Sequence, residues 1–137
     1  MYSDNYARPG ATGDLDPSLT ANDLTQLAAS EVAKVRAGAA AHPNTPLPLI
    51  VKLATDDAHS VRAGVARNPR TDIPEEVLRE LANDRAAEVV FELIGNPSVP
   101  DSVIARVMRG KHKDAIAPAK ARLAGGKGGG LLAGLRG

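Results

Sequence analysis

Residues 61–69 read Val61-Arg62-Ala63-Gly64-Val65-Ala66-Arg67-Asn68-Pro69, and much of the chain follows their pattern. The first four residues recur at 35–38, and the X-Pro step recurs at Asp16-Pro17, His42-Pro43 and Asn96-Pro97. The four prolines lie 26, 26 and 28 residues apart. A fixed period of this size is typical of stacked repeat architectures. We therefore expect about four units, each repeating the same local structure.

Each unit is predicted to hold two short helices. In the first helix, apolar residues recur at i, i+1 and i+4, as in Leu49, Ile50 and Leu53. A polar turn rich in Asp, Ser and Asn follows and caps a second helix, predicted over 35–41, 61–67 and 89–94. Helices of about two turns need neighbours for stability. Gly38 and Gly64 are expected to let an adjacent backbone approach closely.

These patterns predict an all-α solenoid over residues 16–123. Residues 1–15 are expected to form a mobile N-terminal arm, and residues 124–137 a Gly-rich flexible C-terminal tail. Asp23 stands where the interior units carry Leu49, Val77 and Val103, as expected of a polar end repeat. At the other end, Pro118 is expected to bend the last short helix or to mark its start.

Composition narrows the class of protein. The chain has 137 residues, which suits a single domain, and no cysteine, so disulfides and thiolate chemistry are excluded. Residues 1–6 lack the basic start and apolar core of a signal peptide, and no apolar run approaches the roughly 18 residues of a membrane span. We expect a cytoplasmic protein without membrane insertion.

Charge is distributed unevenly along the chain. Residues 1–30 carry four Asp against Arg8, and residues 31–102 carry eight basic and eleven acidic groups, so each part has a net charge of −3. Residues 103–137 carry eight basic groups against Asp114, a net charge of +7. This basic end is the strongest electrostatic feature of the sequence.

The stretch 61–69, followed by Pro74-Glu75-Glu76-Val77-Leu78-Arg79-Glu80-Leu81-Ala82, resembles the leucine-rich repeat variant family. The resemblance covers about residues 16–108. It implies units that pair an α-helix with a shorter, often 3₁₀, helix, stacked into a right-handed superhelix without strands. The family has no common activity. One type of member carries an iron–sulfur cluster on cysteines, which this chain lacks, so no cofactor is expected.

The sequence does not predict an enzyme. Its three histidines, His42, His59 and His112, do not cluster, and no spacing fits a metal site. We expect no catalytic, metal-binding or cofactor-binding residues. The Gly-rich run 125–130 lacks the Gly-Lys-Ser/Thr end of a phosphate loop. One polar residue precedes proline in each unit, namely Asp16, His42, Asn68 and Asn96, and we expect this column to bond backbone groups between units rather than a ligand.

The favoured function is protein–protein binding through the repeat face. Arg36 and Arg62 should lie on one face, where they either grip an acidic partner or pair internally. Val90 replaces arginine in the next unit, where Val90 and the neighbouring Phe91 could form an apolar contact patch, although we expect Phe91 in the core. The candidate partner-binding residues are Lys34, Arg36, Arg62, Arg67, Arg70, Arg106, Arg109, Lys111 and Lys113.

Two alternatives remain open. The basic segment 106–127 suits nucleic acid, although almost no aromatic residues are present to stack on bases. The end of the chain, Leu131-Leu132-Ala133-Gly134-Leu135-Arg136-Gly137 after a glycine linker, faintly resembles the cargo-loading peptides of encapsulin shells. Neither the partner nor the oligomeric state can be read from the sequence.

Overall fold

A computed structural model describes residues 15–125, and every regular element in that range is a helix. The predicted all-α class is confirmed. The α-helices are α1 (Ala21–Ala28), α2 (Ala33–Ala41), α3 (Leu47–Leu53), α4 (His59–Ala66), α5 (Glu75–Ala82), α6 (Ala87–Gly95), α7 (Asp101–Val107) and α8 (Ile116–Gly125), with a 3₁₀ turn at Lys113–Ala115 before α8. None of these helices is long and apolar enough to cross a membrane.

The helix starts follow from local chemistry. Thr20 caps α1 with a capping box, in which its Oγ1 accepts the Asp23 N–H (3.2 Å) and Asp23 Oδ2 accepts the Thr20 N–H (3.1 Å). The charge at position 23 thus has a local capping partner. Pro46, Pro74 and Pro100 are the N-caps of α3, α5 and α7, where a missing N–H removes no helical bond.

The second helix of each unit differs from its prediction. Helices α2, α4 and α6 begin two residues before the predicted starts and are α-helical, with nine, eight and nine residues against seven or eight in α1, α3, α5 and α7. The shorter, often 3₁₀, partner helix implied by the family resemblance is therefore not what these units contain. The early starts arise because Ser30, Asp56 and Asp84 accept the N–H groups of the N-cap residues Val32, Ala58 and Ala86.

Helices α2, α4 and α6 pack side by side, α2 against α4 and α4 against α6, and form the centre of the molecule. Val61, Val65 and Val89 are fully buried between the helices. A Cβ on Gly64 would lie 2.6 Å from the Ala37 carbonyl oxygen and 3.0 Å from the Ala40 Cβ. The expected close approach at Gly64 is confirmed, because a side chain there would force the backbones of α2 and α4 apart.

Phe91 was expected in the core, and that prediction is wrong. It corresponds to the buried Ala37 and Ala63, yet it is 40% exposed, because it lies on α6, the last of the three central helices. Val90 beside it is fully buried.

At both ends of the described region, the boundaries differ from the predicted arm and tail. Helix α8 begins at Ile116, so Pro118 falls in its first turn, and it extends through Gly125, so that it includes the first two residues of the predicted tail. Leu15 packs against the core, and the rest of the predicted arm lies outside the described residues, as does residue 126 onward.

Candidate functional site

The polar residues before proline form a ladder of side-chain bonds to backbone. Asn68 Nδ2 donates to the carbonyl oxygens of Ala40 (2.8 Å) and His42 (3.0 Å), and Asn96 Nδ2 donates to those of Ala66 and Asn68 (both 2.8 Å). Both side chains are buried. The structure thus agrees with the expectation that this column bonds backbone groups of the preceding unit.

His42 also bonds backbone groups, through its imidazole ring. Its Nδ1 accepts the Asn44 N–H (3.0 Å), so the neutral ring carries its proton on Nε2, which lies 2.9 Å from the Asp16 carbonyl oxygen. The ring is 4% exposed and has both nitrogens engaged. His42 is therefore a structural residue, with no nitrogen left for a metal ion or a substrate.

Arg122 is the last member of this ladder, and the sequence did not predict that role. It lies 26 residues after Asn96, and its Nη1 donates to the carbonyl oxygens of Ile94 (2.7 Å) and Asn96 (3.1 Å), as an asparagine does in the preceding units. Its Nη2 donates to the Val99 carbonyl oxygen (2.6 Å). The repeat spacing alone identifies this position. Arg122 belongs to the basic segment proposed for nucleic acid, but its guanidinium is bound to backbone.

Arg36 and Arg62, the central partner-binding candidates, each hold an aspartate of the following unit. Arg36 donates from Nε and Nη2 to the two carboxylate oxygens of Asp56 at 2.9 and 3.0 Å. Arg62 donates in the same way to Asp84 at 2.7 and 3.0 Å. Such two-point contacts are the strongest form of arginine–carboxylate pairing. Of the two roles left open for these arginines, internal pairing is the one that the structure displays.

The third nitrogen of each guanidinium also has a partner. Arg36 Nη1 donates to the Ser30 carbonyl oxygen (2.8 Å), and Arg62 Nη1 donates to those of Asp56 (2.8 Å) and Asp57 (3.1 Å). Each arginine therefore joins the turn of its own unit to the turn of the next. The Arg62–Asp84 pair is almost excluded from solvent, with side-chain exposures of 6% and 7%, whereas those of Arg36 and Asp56 are 20% and 14%.

The paired aspartates have lowered pKa values. Hydrogen bonding from Arg36 holds the pKa of Asp56 below its usual range, against the opposing effect of burial. At Asp84, burial pushes the pKa upward, but the hydrogen bonds from Arg62 and the Ala86 N–H outweigh it, and the pKa is again lowered. Hydrogen bonds to these aspartates correspondingly raise the pKa values of Arg36 and Arg62. All four groups are charged at neutral pH.

In the next unit both members of the pair are replaced together. Val90 stands in the position of Arg36 and Arg62, and Gly110 in that of Asp56 and Asp84. The Asp84 carbonyl oxygen, left without an arginine from its own unit, lies 2.7 Å from His112 Nε2. His112 thus supplies the donor that Val90 lacks. The joint loss of Arg and Asp is a signal by which their pairing can be recognised in the sequence.

Two open clefts lie side by side on the surface of these turns. Their volumes are about 440 and 480 Å³, and they share Thr55, Asp56 and Asp57 as a common wall. The first is lined by Arg36 and Lys52, and the second by Arg62, Glu80, Arg85 and Lys111. Most of the lining positions in one cleft correspond to those in the other at the repeat spacing. We call this surface the cleft face.

One exposed charge follows the turn residue in each unit. We call the four the charged row, and they are Glu31, Asp57, Arg85 and Lys111, directly after Ser30, Asp56, Asp84 and Gly110. No ion pair joins any of these four side chains to another group in residues 15–125. Within residues 15–125, the cleft face therefore presents exposed charges that form no ion pair, beside arginines that are paired with Asp56 and Asp84.

The other candidates are scattered. Arg70 is held by Asp72 and by the carbonyl oxygens of Pro43 and Thr45 (both 3.0 Å). Arg67 and Arg106 are half-buried, and Arg106 Nε has no hydrogen-bond partner within residues 15–125. The exposed candidates are Lys34, Arg109, Lys111 and Lys113. Of these, Lys111 lines the second of the two clefts described above.

In the part of the chain from residue 15 to residue 125, no three His, Asp or Glu side chains are grouped to hold a metal ion. Comparison of the chain with protein-family models, with curated proteins and with solved structures gives no match. The resemblance to the leucine-rich repeat variant family stays a prediction that rests on the residues quoted above.

Proposed function

We propose that this chain is a non-catalytic protein-binding module and that the cleft face is its binding surface. The observation that supports this most directly is the recurrence of the same open cleft in two adjacent units, each lined by exposed charges of the charged row. A surface that repeats its shape at a fixed spacing suits an extended or flat protein partner better than a small substrate.

We further propose that the architecture is a helical solenoid of about four units, wound to the right as the family resemblance implies. The support is the recurrence, at intervals of 26 and 28 residues, of the asparagine ladder and of the Arg–Asp pairs. Each bond in these sets joins one unit to its neighbour, as expected when units stack. The cytoplasm stays our prediction for its location.

The binding mechanism follows from the rigidity of the turns. Arg36 and Arg62 tie successive turns together, so the clefts are expected to be largely formed before a partner arrives. A preformed surface loses less conformational entropy on binding. The unpaired charges of Asp57, Arg85 and Lys111 would then select a partner of complementary charge and speed its approach.

Affinity capture with surface variants tests this proposal. The bait is the full chain, because truncation after Ala105 would remove the buried residues Val107, Ala115 and Ala119 from the core. The variant Asp57→Ala/Arg85→Ala/Lys111→Ala should lose the partner. The control variant Glu76→Ala/Lys120→Ala changes two exposed residues that line neither cleft and should keep it. Equal capture by both variants would refute the cleft face as the binding surface.

A second candidate is binding to nucleic acid through segment 106–127. Arg109, Lys111 and Lys113 are exposed there and have no ion-pair partner in residues 15–125. The affinity for nucleic acid should fall steeply as the salt concentration rises, and the variant Arg109→Ala/Lys113→Ala should not bind. Arg122 is bound to backbone and should contribute nothing directly. The docking-peptide hypothesis concerns residues 131–137, outside the described part of the chain, and it stays a prediction.

A further inference from the structure

The charged row changes sign halfway along its length. Glu31 and Asp57 occupy the first two turns, and Arg85 and Lys111 occupy the next two, so the order of charge is minus, minus, plus, plus. All four side chains are exposed. Successive packed helices lie about 8–10 Å apart, so the row spans roughly 30 Å. A row with this order is complementary to its own reverse.

We propose that the cleft face binds a second copy of this chain, in the antiparallel direction. This inference rests on the proposed function, because it assigns a partner to the same face. A two-fold axis between the second and third turns would place Glu31 opposite Lys111 of the second copy and Asp57 opposite Arg85. The same operation creates the two reciprocal contacts, so four charge pairs form at once.

The two central residues of a neighbouring row on the same face fit the same symmetry. Lys52 and Glu80 are equivalent residues of the second and third units, and they line the first and second cleft respectively. The axis that pairs Asp57 with Arg85 also places Lys52 opposite Glu80 of the second copy. One rotation thus makes the charged row complementary along its whole length and the neighbouring row complementary at its two central positions, while the outer positions of that second row, Gln26 and Arg106, add no charge pair.

Other arrangements satisfy fewer of these charges. Parallel pairing would set each charge of the row opposite its own copy, and like charges in contact are repulsive. Nucleic acid would meet Arg85 and Lys111 but be repelled by Glu31 and Asp57. A partner of a single charge sign uses only half of the row, whereas the reversed second copy uses all of it.

Charge-reversal variants test the pairing directly. Glu31→Lys/Asp57→Lys makes the row entirely positive, and Arg85→Glu/Lys111→Glu makes it entirely negative. None of the four side chains has an ion-pair partner in residues 15–125, so we expect both variants to fold, which circular dichroism checks. Each variant alone should be monomeric. An equimolar mixture of the two should form a heterodimer, because the complementary pairs are restored.

Sedimentation equilibrium of the full chain supplies the measurement, at protein concentrations up to roughly 200 µM, well above a micromolar Kd. Raising NaCl from about 50 mM to about 500 mM shortens the screening length from roughly 14 Å to roughly 4 Å and should weaken the wild-type dimer by at least about tenfold. Glu76→Lys/Lys120→Glu, with the same number of reversals away from the charged row, should dimerise like wild type.

Three results would overturn the inference: a wild-type chain that is monomeric at low salt, row variants that dimerise as wild type does, or a mixture of the row variants that stays monomeric. If a monomeric wild type still captures another protein through Asp57, Arg85 and Lys111, the proposed function stands and only the second copy is rejected as partner. If capture is also independent of these residues, both are rejected.

Discussion

Replacing Arg62 by methionine tests whether the Arg–Asp pairs hold the units together. Methionine keeps an unbranched stem of similar reach and removes the guanidinium. The change deletes two bonds to Asp84 and two to the carbonyl oxygens of Asp56 and Asp57. It also leaves the Asp84 carboxylate, whose side chain is 7% exposed, without its counter-charge.

Breaking a buried ion pair by removing one partner destabilises a protein by about 3–5 kcal/mol, and we expect Arg62→Met to lie in this range. That is a large part of the roughly 5–15 kcal/mol by which a domain of this kind is stable. Arg36→Met should cost less, because water reaches the Arg36–Asp56 pair. Arg79, a half-exposed residue that pairs with Glu75 on the surface of α5, is the control, and Arg79→Met should show no measurable loss.

Urea unfolding at pH 7, followed by circular dichroism, measures these differences. A double-mutant cycle with Asp84→Asn adds the pairwise term, and the double variant should be at least about 1 kcal/mol more stable than the sum of the two single losses implies. If Arg62→Met is no less stable than Arg79→Met, or if the cycle shows no coupling, the Arg62–Asp84 pair does not hold the units together.

Three further predictions use the same unfolding assay. The pKa values of Asp56 and Asp84 are lowered on folding, so the unfolded chain binds more protons than the folded chain below about pH 4. The free energy of unfolding should therefore fall as the pH drops through the folded-state pKa values, and it should fall less steeply in Asp84→Asn. Equal pH dependence of the free energy of unfolding in the wild type and in Asp84→Asn would contradict this. Gly64→Ala should lower the free energy of unfolding by about 1–3 kcal/mol, because the new Cβ would meet the Ala37 carbonyl oxygen. Gly95 has open space around it, so Gly95→Ala should raise the free energy of unfolding by up to about 1 kcal/mol. The same change in both variants would refute the close approach at Gly64. Asn96→Ala leaves two buried carbonyl oxygens and the Ser98 N–H without their hydrogen-bond partner, so it should lower the free energy of unfolding by at least about 2 kcal/mol. His42→Asn introduces the residue found at positions 68 and 96, and it should be more stable than His42→Ala.

Much of the architecture was readable from local signals. The X-Pro steps, the apolar pattern around Leu49 and Ile50 and the polar turns predicted helices in the right places, because they act over one or two helical turns. The backbone-bonding role of Asn68 and Asn96 followed from the need to satisfy buried carbonyl groups. Helix starts were misplaced by two residues because the turn side chains of Ser30, Asp56 and Asp84 extend the capping further than expected.

The candidate site was less predictable. Internal pairing of Arg36 and Arg62 was one of two expected roles, but the sequence did not identify the carboxylates that bind them, Asp56 and Asp84, which lie 20 and 22 residues further along the chain. A one-residue difference in a turn decides whether a carboxylate points to the neighbouring unit or to solvent. Periodicity identifies the turn but not that direction.

The sequence by itself determined the helical class, the spacing of the units and the column of polar residues before proline, since each depends on residues close together in the chain. Tertiary structure alone decided that Arg36, Arg62 and Arg122 are bound internally, that His112 replaces a missing arginine, and that Phe91 is exposed. The bonds of Arg122 and His112, and those of Arg36 and Arg62 to their aspartates, join groups 20 to 28 residues apart, and their geometry exists only once neighbouring helices have packed.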